Sequence, residues 1–176
     1  MINEIPTKRL LLRRMRVSDT HSLFRIWSDP EVTKYMNISN FTKESQAKEM
    51  IELLDELTRA NKAVRFCIID QASHEIIGSC GFNLIDLDNA KAEIGYDLAK
   101  AYWGLGYAPE AIHALTQHAF KKLRLNRIEA KVEPANVSSI KVLNKCNFTY
   151  EGTLRQYEKS KEIFIDISMY SLLSTD

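Results

Sequence analysis

The sequence predicts an α/β (α+β) domain: a mixed, mainly antiparallel central sheet of about seven strands flanked by four helices. Three observations carry that reading. β-Branched and aromatic runs with hairpin spacing fill Val64 to Leu98, apolar residues recur at helical spacing between Thr42 and Asn61, and Gly104-Leu105-Gly106 leads into a helix entered through Pro109. With 176 residues, 45% of them hydrophobic, the chain has the apolar mass for one core. No Pro/Gly/Ser-rich linker or internal repeat marks a domain boundary.

In chain order, Lys8 to Arg14 is apolar at its centre and charged at its ends, as a first strand would be. Ser18-Asp19 supplies N-cap candidates for a helix that Asp29-Pro30 stops near Ser28, because the residue before proline avoids helical dihedrals. Between Thr42 and Asn61, Ala47, Met50, Ile51, Leu53, Leu54 and Leu57 then form the apolar stripe of an amphipathic helix. Val64 to Asp70, Glu75 to Asp86 and Ala90 to Leu98 read as three strands joined by hairpins. Pro109 suits a first helical position, and Ala111, Ile112, Leu115, Ala119 and Leu123 continue that pattern. Arg127 to Glu133 reads as a strand, Ser138 to Cys146 as a short helix, and Phe148 to Ser160 with Glu162 to Leu173 as a terminal hairpin.

Charge and cysteine content exclude several functions. Lys plus Arg number 24 against 23 Asp plus Glu, so the net charge of +1 lacks the basic excess that holds a protein on nucleic acid or anionic lipid. Three cysteines, Cys67, Cys80 and Cys146, with no Cys-x-x-Cys spacing argue against a disulfide framework or a zinc site, and no metal is expected. Neither a signal peptide nor an apolar run of the roughly 20 residues needed to span a bilayer is present, so a cytoplasmic, membrane-free protein is expected.

The glycine turn carries the chemistry. Glycines between a strand and a helix permit positive φ and close approach of a ligand, while the first helical N–H groups point outward unpaired, as a pyrophosphate cradle requires. A tight turn with no ligand is the plain alternative. A Rossmann fingerprint would need a third glycine where Pro109 stands, and the Walker Gly-Lys-Ser/Thr ending is absent.

Glu93-Ile94-Gly95-Tyr96 followed by Tyr102-Trp103-Gly104-Leu105-Gly106-Tyr107-Ala108-Pro109-Glu110-Ala111 resembles the acetyl-CoA-binding segment of GNAT-superfamily N-acetyltransferases. The Tyr-Trp-Gly-x-Gly-Tyr-Ala form is similar to the branch containing bacterial ribosomal-protein N-terminal acetyltransferases. Asn136-Val137-Ser138-Ser139 and Lys145-Cys146-Asn147-Phe148 with Glu151-Gly152 resemble the same branch, and the likeness covers residues 9–172 as a single domain. Asn147 stands where that branch usually has glycine, a replacement asparagine tolerates because it also enters the left-handed region after a helix.

The resemblance implies that the main chain of Leu105, Tyr107 and Ala108, with Gly104 and Gly106, holds the pyrophosphate of acetyl-CoA. It implies that Asp97, Leu98 and Ala99 pair with the pantetheine arm as an added strand would, and that Asn136 and Ser139 face the cofactor from the other side. It further implies a homodimer. Many members place a tyrosine where Leu143 stands here, so Ser139 becomes the candidate general acid, although Asn136, Ser138 and Ser139 also suit simple helix capping. Glu93 matches an acidic position of the branch. Two-residue alternation puts it on the face of Asp97, where a half-buried carboxylate with a raised pKa would suit a general base and an ordinary ion pair is the plain alternative. His21, His74, His113 and His118 are weaker candidates.

The expected reaction is direct attack of a primary amine on acetyl-CoA in a ternary complex, with a protein N-terminal Ser or Ala as the acceptor implied by resemblance. A small-molecule amine such as a polyamine, amino sugar or antibiotic is the alternative acceptor; the resemblance places the pocket for either between Phe24 to Phe41 and Tyr157 to Ile163, whose mix of aromatic, acidic and basic residues does not select between them. A catalytically silent acyl-CoA-binding module is the alternative of a different class.

Overall fold

The computed structural model describes residues 2–176. Strands β1 (Glu4–Pro6), β2 (Leu10–Arg14), β3 (Val64–Asp70), β4 (Ile76–Asp86), β5 (Lys91–Leu98), β6 (Arg127–Val132), β7 (Thr149–Ser160) and β8 (Ile163–Leu173) form one sheet in the order β1-β2-β3-β4-β5-β6-β8-β7. Neighbours are antiparallel except β5 and β6. The helices are α1 (Thr20–Trp27), α2 (Pro30–Thr33), α3 (Glu44–Arg59), α4 (Tyr107–Lys121) and α5 (Val137–Lys145).

Alternation along the strands divides the core between the two faces of the sheet. Leu10, Leu12, Phe66, Ile68, Phe82, Ile94 and Ile128 pack with Ala111, Ile112 and Leu115 of α4. On the opposite face Leu23, Ile26 and Trp27 of α1 and Ala47 and Ile51 of α3 cover Cys67 and Ile69. Each fully buried aliphatic side chain contributes about 1.5–3 kcal/mol, so the faces hold the helices independently of any local propensity.

The structure corrects the expected architecture in three places. The sheet has an eighth strand, β1, which pairs with β2 from Glu4 opposite Arg13 to Pro6 opposite Leu11. It is only three residues long and holds a proline, which is tolerated because β1 is an edge with no outer strand to receive an N–H. Asp29-Pro30 ends α1 as expected but also starts a fifth helix: the Asp29 carboxylate accepts the N–H of Glu31 at 2.9 Å and caps α2, with Pro30 in its first turn. Helix α4 begins two residues before Pro109, because Gly106 takes φ +81° and turns the chain into the helix at Tyr107. Pro109 still lies in the first turn, where no N–H has an intrahelical acceptor.

The parallel pair matters most for the site. β5 and β6 pair only over Lys91–Arg127, Ala92–Ile128 and Glu93–Glu129, then run apart. Across β5 the register with β4 slips between Phe82 and Leu84, leaving Asn83 as an extra residue opposite the point where pairing with β6 stops. Such a bulge strengthens local twist.

Candidate functional site

Where β5 and β6 part, a cleft of about 950 Å³ opens onto both faces of the sheet. One side is lined by the glycine turn and the starts of α4 and α5. The other is lined by α2 and the segment after it, by side chains of β5 and β6, and by the β7–β8 hairpin.

On the first side, Gly104 has φ +71° and Gly106 φ +81°, and a side chain on Gly104 would meet nothing within 4 Å. Among the described residues no acceptor takes the backbone N–H of any residue from Gly104 to Ala108. A run of unpaired donors at the N-terminus of a 15-residue helix is suited to an anion, with the helix dipole adding to it. Arg9 supports the turn from below. Its Nε meets Glu110 Oε2 at 2.7 Å, one terminal nitrogen donates to the Leu105 carbonyl at 3.0 Å, and its guanidinium lies 4.2 Å from the centre of the Tyr107 ring. Burial pushes the Glu110 carboxyl up, but hydrogen bonds from Thr7 and Arg9 outweigh it and hold the group below its ordinary value.

The edge of β5 is left open by the splay. Ala99 N–H donates to Ile77 of β4 at 2.8 Å, and the Leu98 carbonyl accepts from Trp103 Nε1 at 2.8 Å. Alternation therefore turns the main chain of Tyr96 and Leu98 toward the gap and that of Asp97 toward β4. The Asp97 side chain is also engaged, buried against Arg65 at 3.1 Å and the Ser79 hydroxyl. Of the three residues expected along the cofactor arm, Leu98 faces the gap, while Asp97 and Ala99 are committed to β4 by strand geometry. Leu105 and Ala99 do not line the cleft; Glu93, Asp97, Leu98, Gly104, Gly106, Tyr107, Ala108, Asn136 and Ser139 do.

Asn136 takes the capping role, its Oδ1 accepting the N–H of Ser139 at 3.2 Å. That leaves the Ser139 hydroxyl free of the helix, and it hydrogen-bonds with the hydroxyl of Tyr96 on β5. Burial pushes the Tyr96 phenol up to about 12 although the bond with Ser139 works the other way. The alternation that places Glu93 and Asp97 on one face puts Tyr96 on the other, toward α5, a position the motif reading did not single out. Leu143, where the resemblance implied a tyrosine, is core-packed and carries no proton to give.

On the second side, Glu93 receives Lys131 Nζ at 3.1 Å and Asn83 Nδ2 at 3.4 Å, the ion pair set against the general-base reading. Lys131 also reaches Glu158 at 3.5 Å and lies 5.1 Å from the Tyr157 ring centre. Burial works to lower the Lys131 ammonium, but the hydrogen bond and charge of Glu93 prevail and raise it. Glu133 lines the same wall, half-buried and with no side-chain partner among the described residues. The segment after α2 is tied across the cleft by Tyr35, whose hydroxyl donates to the Ala135 carbonyl at 3.2 Å. Lys161, at the tip of the hairpin, donates to the Thr33 and Lys34 carbonyls at 2.7 and 3.0 Å.

None of the four histidines lines the cleft. Among the described residues no group of His, Cys, Asp and Glu is placed to hold a metal ion.

Residues 9–149 match the family described as Acetyltransferase (GNAT) domain. The chain is 53% identical over 170 residues to the uncharacterized N-acetyltransferase p20 of Bacillus licheniformis, covering 97% of this chain and 96% of that one. It is 34% identical over 97 residues to the ribosomal-protein-serine acetyltransferase of Escherichia coli, covering 55% and 54% of the two chains. The solved structure of RimL, a ribosomal L7/L12 alpha-N-protein acetyltransferase in complex with coenzyme A, superposes with a TM-score of 0.89 at 24% identity over 98% of this chain and 99% of that one.

Proposed function

Since the chain belongs to the GNAT acetyltransferase family and is an acetyl-CoA-dependent acetyltransferase, we propose that its acceptor is the N-terminal amine of a protein beginning with Ser or Ala, acetylated by direct attack in a ternary complex. The observation that carries the reading is the passage through the sheet. It joins a cradle of unpaired N–H groups on one face to a carboxylate-lined wall on the other, with the Tyr96–Ser139 hydroxyl pair beside it. Two substrates can therefore occupy the cleft from opposite sides at once. The acceptor class is supported by the 34% identity with the Escherichia coli ribosomal-protein-serine enzyme.

Bound acetyl-CoA supplies an activated acyl thioester. The N–H groups from Gly104 to Ala108 hold its pyrophosphate, and the open main chain of Tyr96 with the N–H of Leu98 receives the amides of its arm. Ser139 offers its hydroxyl proton to the departing sulfur, with Tyr96 behind it to restore that proton. A thiol of pKa ~8.5 leaves with little help, so this contribution is modest. An acceptor of this kind is met in the cytoplasm, and the expected homodimer is checked by sedimentation.

Free-thiol release with acetyl-CoA and an acceptor panel tests the reading. Peptides beginning with Ser or Ala are expected to turn over fastest. Turnover confined to polyamines or amino sugars would replace the acceptor class, and a trapped acetyl-enzyme with ping-pong kinetics would replace direct attack.

A further inference from the structure

We propose that the Glu133 carboxylate is the general base that takes the proton from the acceptor's ammonium group. The inference rests on the acetyl-transfer reading above and adds the residue that makes the acceptor nucleophilic.

Four glutamates line the cleft, and the structure separates them: Glu31 of α2 is paired with Lys100. Glu93 and Glu158 share one ammonium, that of Lys131, at 3.1 and 3.5 Å. Both oxygens of Glu93 are engaged, Oε2 by Lys131 and Oε1 by Asn83, and Oε1 of Glu158 faces the same ammonium, so a proton arriving at either carboxylate competes with contacts already made. Among the described residues Glu133 has no such pair. It follows the last residue of β6, beyond the point where β5 and β6 part, and alternation from Lys131 turns it to the acceptor face. Its main-chain carbonyl accepts the N–H of Asn136 at 2.9 Å, and Asn136 in turn caps the turn that presents Ser139. The base on one side of the cleft and the hydroxyl on the other are thus fixed by one short loop.

The charged groups bearing on Glu133 are Lys161 and Glu158 of the β7–β8 hairpin, with Lys131 two residues back on its own strand and Lys34 lining the cleft from the segment after α2. Burial, the largest influence, raises its pKa; Lys161 opposes and Glu158 adds to it. A carboxylate made more basic is a better proton acceptor near neutrality. In the step itself Glu133 takes one proton from the bound ammonium, and the neutral nitrogen forms the C–N bond as the C–S bond breaks. The second nitrogen proton is lost to solvent, and the sulfur takes the Ser139 hydroxyl proton, which solvent restores through Tyr96.

The test compares Glu133→Gln, Glu133→Asp, Glu93→Gln and Glu158→Gln by kcat/KM against pH, with acetyl-CoA and a Ser-initiated peptide. Glu133→Gln is expected to lose about 10²-fold to 10³-fold near neutrality. Its deficit should shrink at pH above ~8, where the peptide's α-amino group is already neutral, and Glu133→Asp should recover part of the rate. Glu93→Gln and Glu158→Gln should show smaller deficits that do not vary with pH. A Glu133→Gln deficit independent of pH, or a rate within about threefold of wild type, would overturn the proposal, since general bases contribute at least ~10²-fold. Carbon-13 titration of the glutamate carboxyls in the intact protein gives a readout free of any acceptor. A resonance titrating above the ordinary range of about 4.3, and lost in Glu133→Gln, is expected; its absence overturns the assignment even if acetyl transfer stands. No thiol release by wild type on any acceptor would overturn the transfer reading, and the base with it.

Discussion

The two walls of the cleft present different groups to the ligands proposed for them. The wall proposed for the cofactor is a short continuous stretch, Gly104 to Ala108, that offers unpaired backbone N–H donors. The acceptor wall is assembled from side chains of β5, β6, the segment after α2 and the terminal hairpin, and is held by ion pairs centred on Lys131. Main-chain recognition depends on local dihedral angles, which only certain residues permit. Side-chain recognition depends on tertiary placement, which many sequences can provide.

The largest expected effect breaks the cofactor wall alone. Gly106 holds φ +81°, and a β-carbon there would sit 3.3 Å from the Arg9 guanidinium. Gly106→Glu adds a left-handed penalty of roughly 1–2 kcal/mol and places an anion among donors meant for phosphate. Affinity for coenzyme A by calorimetry should fall by at least about a hundredfold. Unchanged affinity would remove the cradle from the cofactor's path.

At the seam between the walls, Ser139→Ala and Tyr96→Phe should each lower kcat by about tenfold to a hundredfold and leave coenzyme A affinity near wild type, because they remove a proton donor or its support rather than a binding contact. The two losses should not add, since the hydroxyls are hydrogen-bonded to one another. Additive losses would mean that the pair does not act as a unit.

This contrast explains what the sequence could disclose. The geometry of the glycine turn and of the α5 cap was legible because glycine at positive φ and an asparagine cap leave residue-type signals at fixed spacing. Asn147, at φ +63° after α5, was readable for the same reason. The order of elements along the chain was legible except for β1, whose three residues are too short to show a period, and α2, whose four residues were hidden under a stop signal that proved also to be a start. The roles along β5 were harder. Alternation correctly paired the faces of Glu93 and Asp97, but hydrogen-bond direction decides that Tyr96 and Leu98, not Asp97, open onto the gap. Nothing local distinguishes Glu93 from Glu133; the difference is a lysine two residues before Glu133 whose side chain reaches across the splay to Glu93.

A smaller effect should fall on the acceptor wall only. Lys131→Met keeps the aliphatic stem against Tyr157 and releases Glu93 and Glu158 from their shared ammonium. The two carboxylates then repel one another and Glu133, and the acceptor's KM should change by about threefold to tenfold while that for acetyl-CoA does not, consistent with loss of a partly buried pair. An equal change in both constants would show the walls to be coupled.

The smallest effect concerns how the hairpin carrying Tyr157 and Glu158 is held. Arg127 of β6 reaches across β8 to Glu151 of β7 with two bonds, at 2.8 and 2.5 Å, and Ser171 of β8 donates to the same carboxylate at 2.7 Å. The hydrogen bond from Arg127, then that from Ser171, lowers the Glu151 carboxyl to about 2. Because the folded value lies below the ordinary ~4.3, the clamp stabilises the protein fully above that pH and is lost as pH falls through about 2. The Glu151 side chain is 39% exposed, so solvent screening leaves it under about 1 kcal/mol. Glu151→Gln should therefore lower the denaturation midpoint slightly near neutrality, with the difference from wild type vanishing in acid. Any kinetic trace should appear in the acceptor's KM and not in that of acetyl-CoA, because the clamp orders only the strand that brings Glu158 to the cleft. A stability difference that persists in acid would assign Glu151 a packing role instead of an electrostatic one.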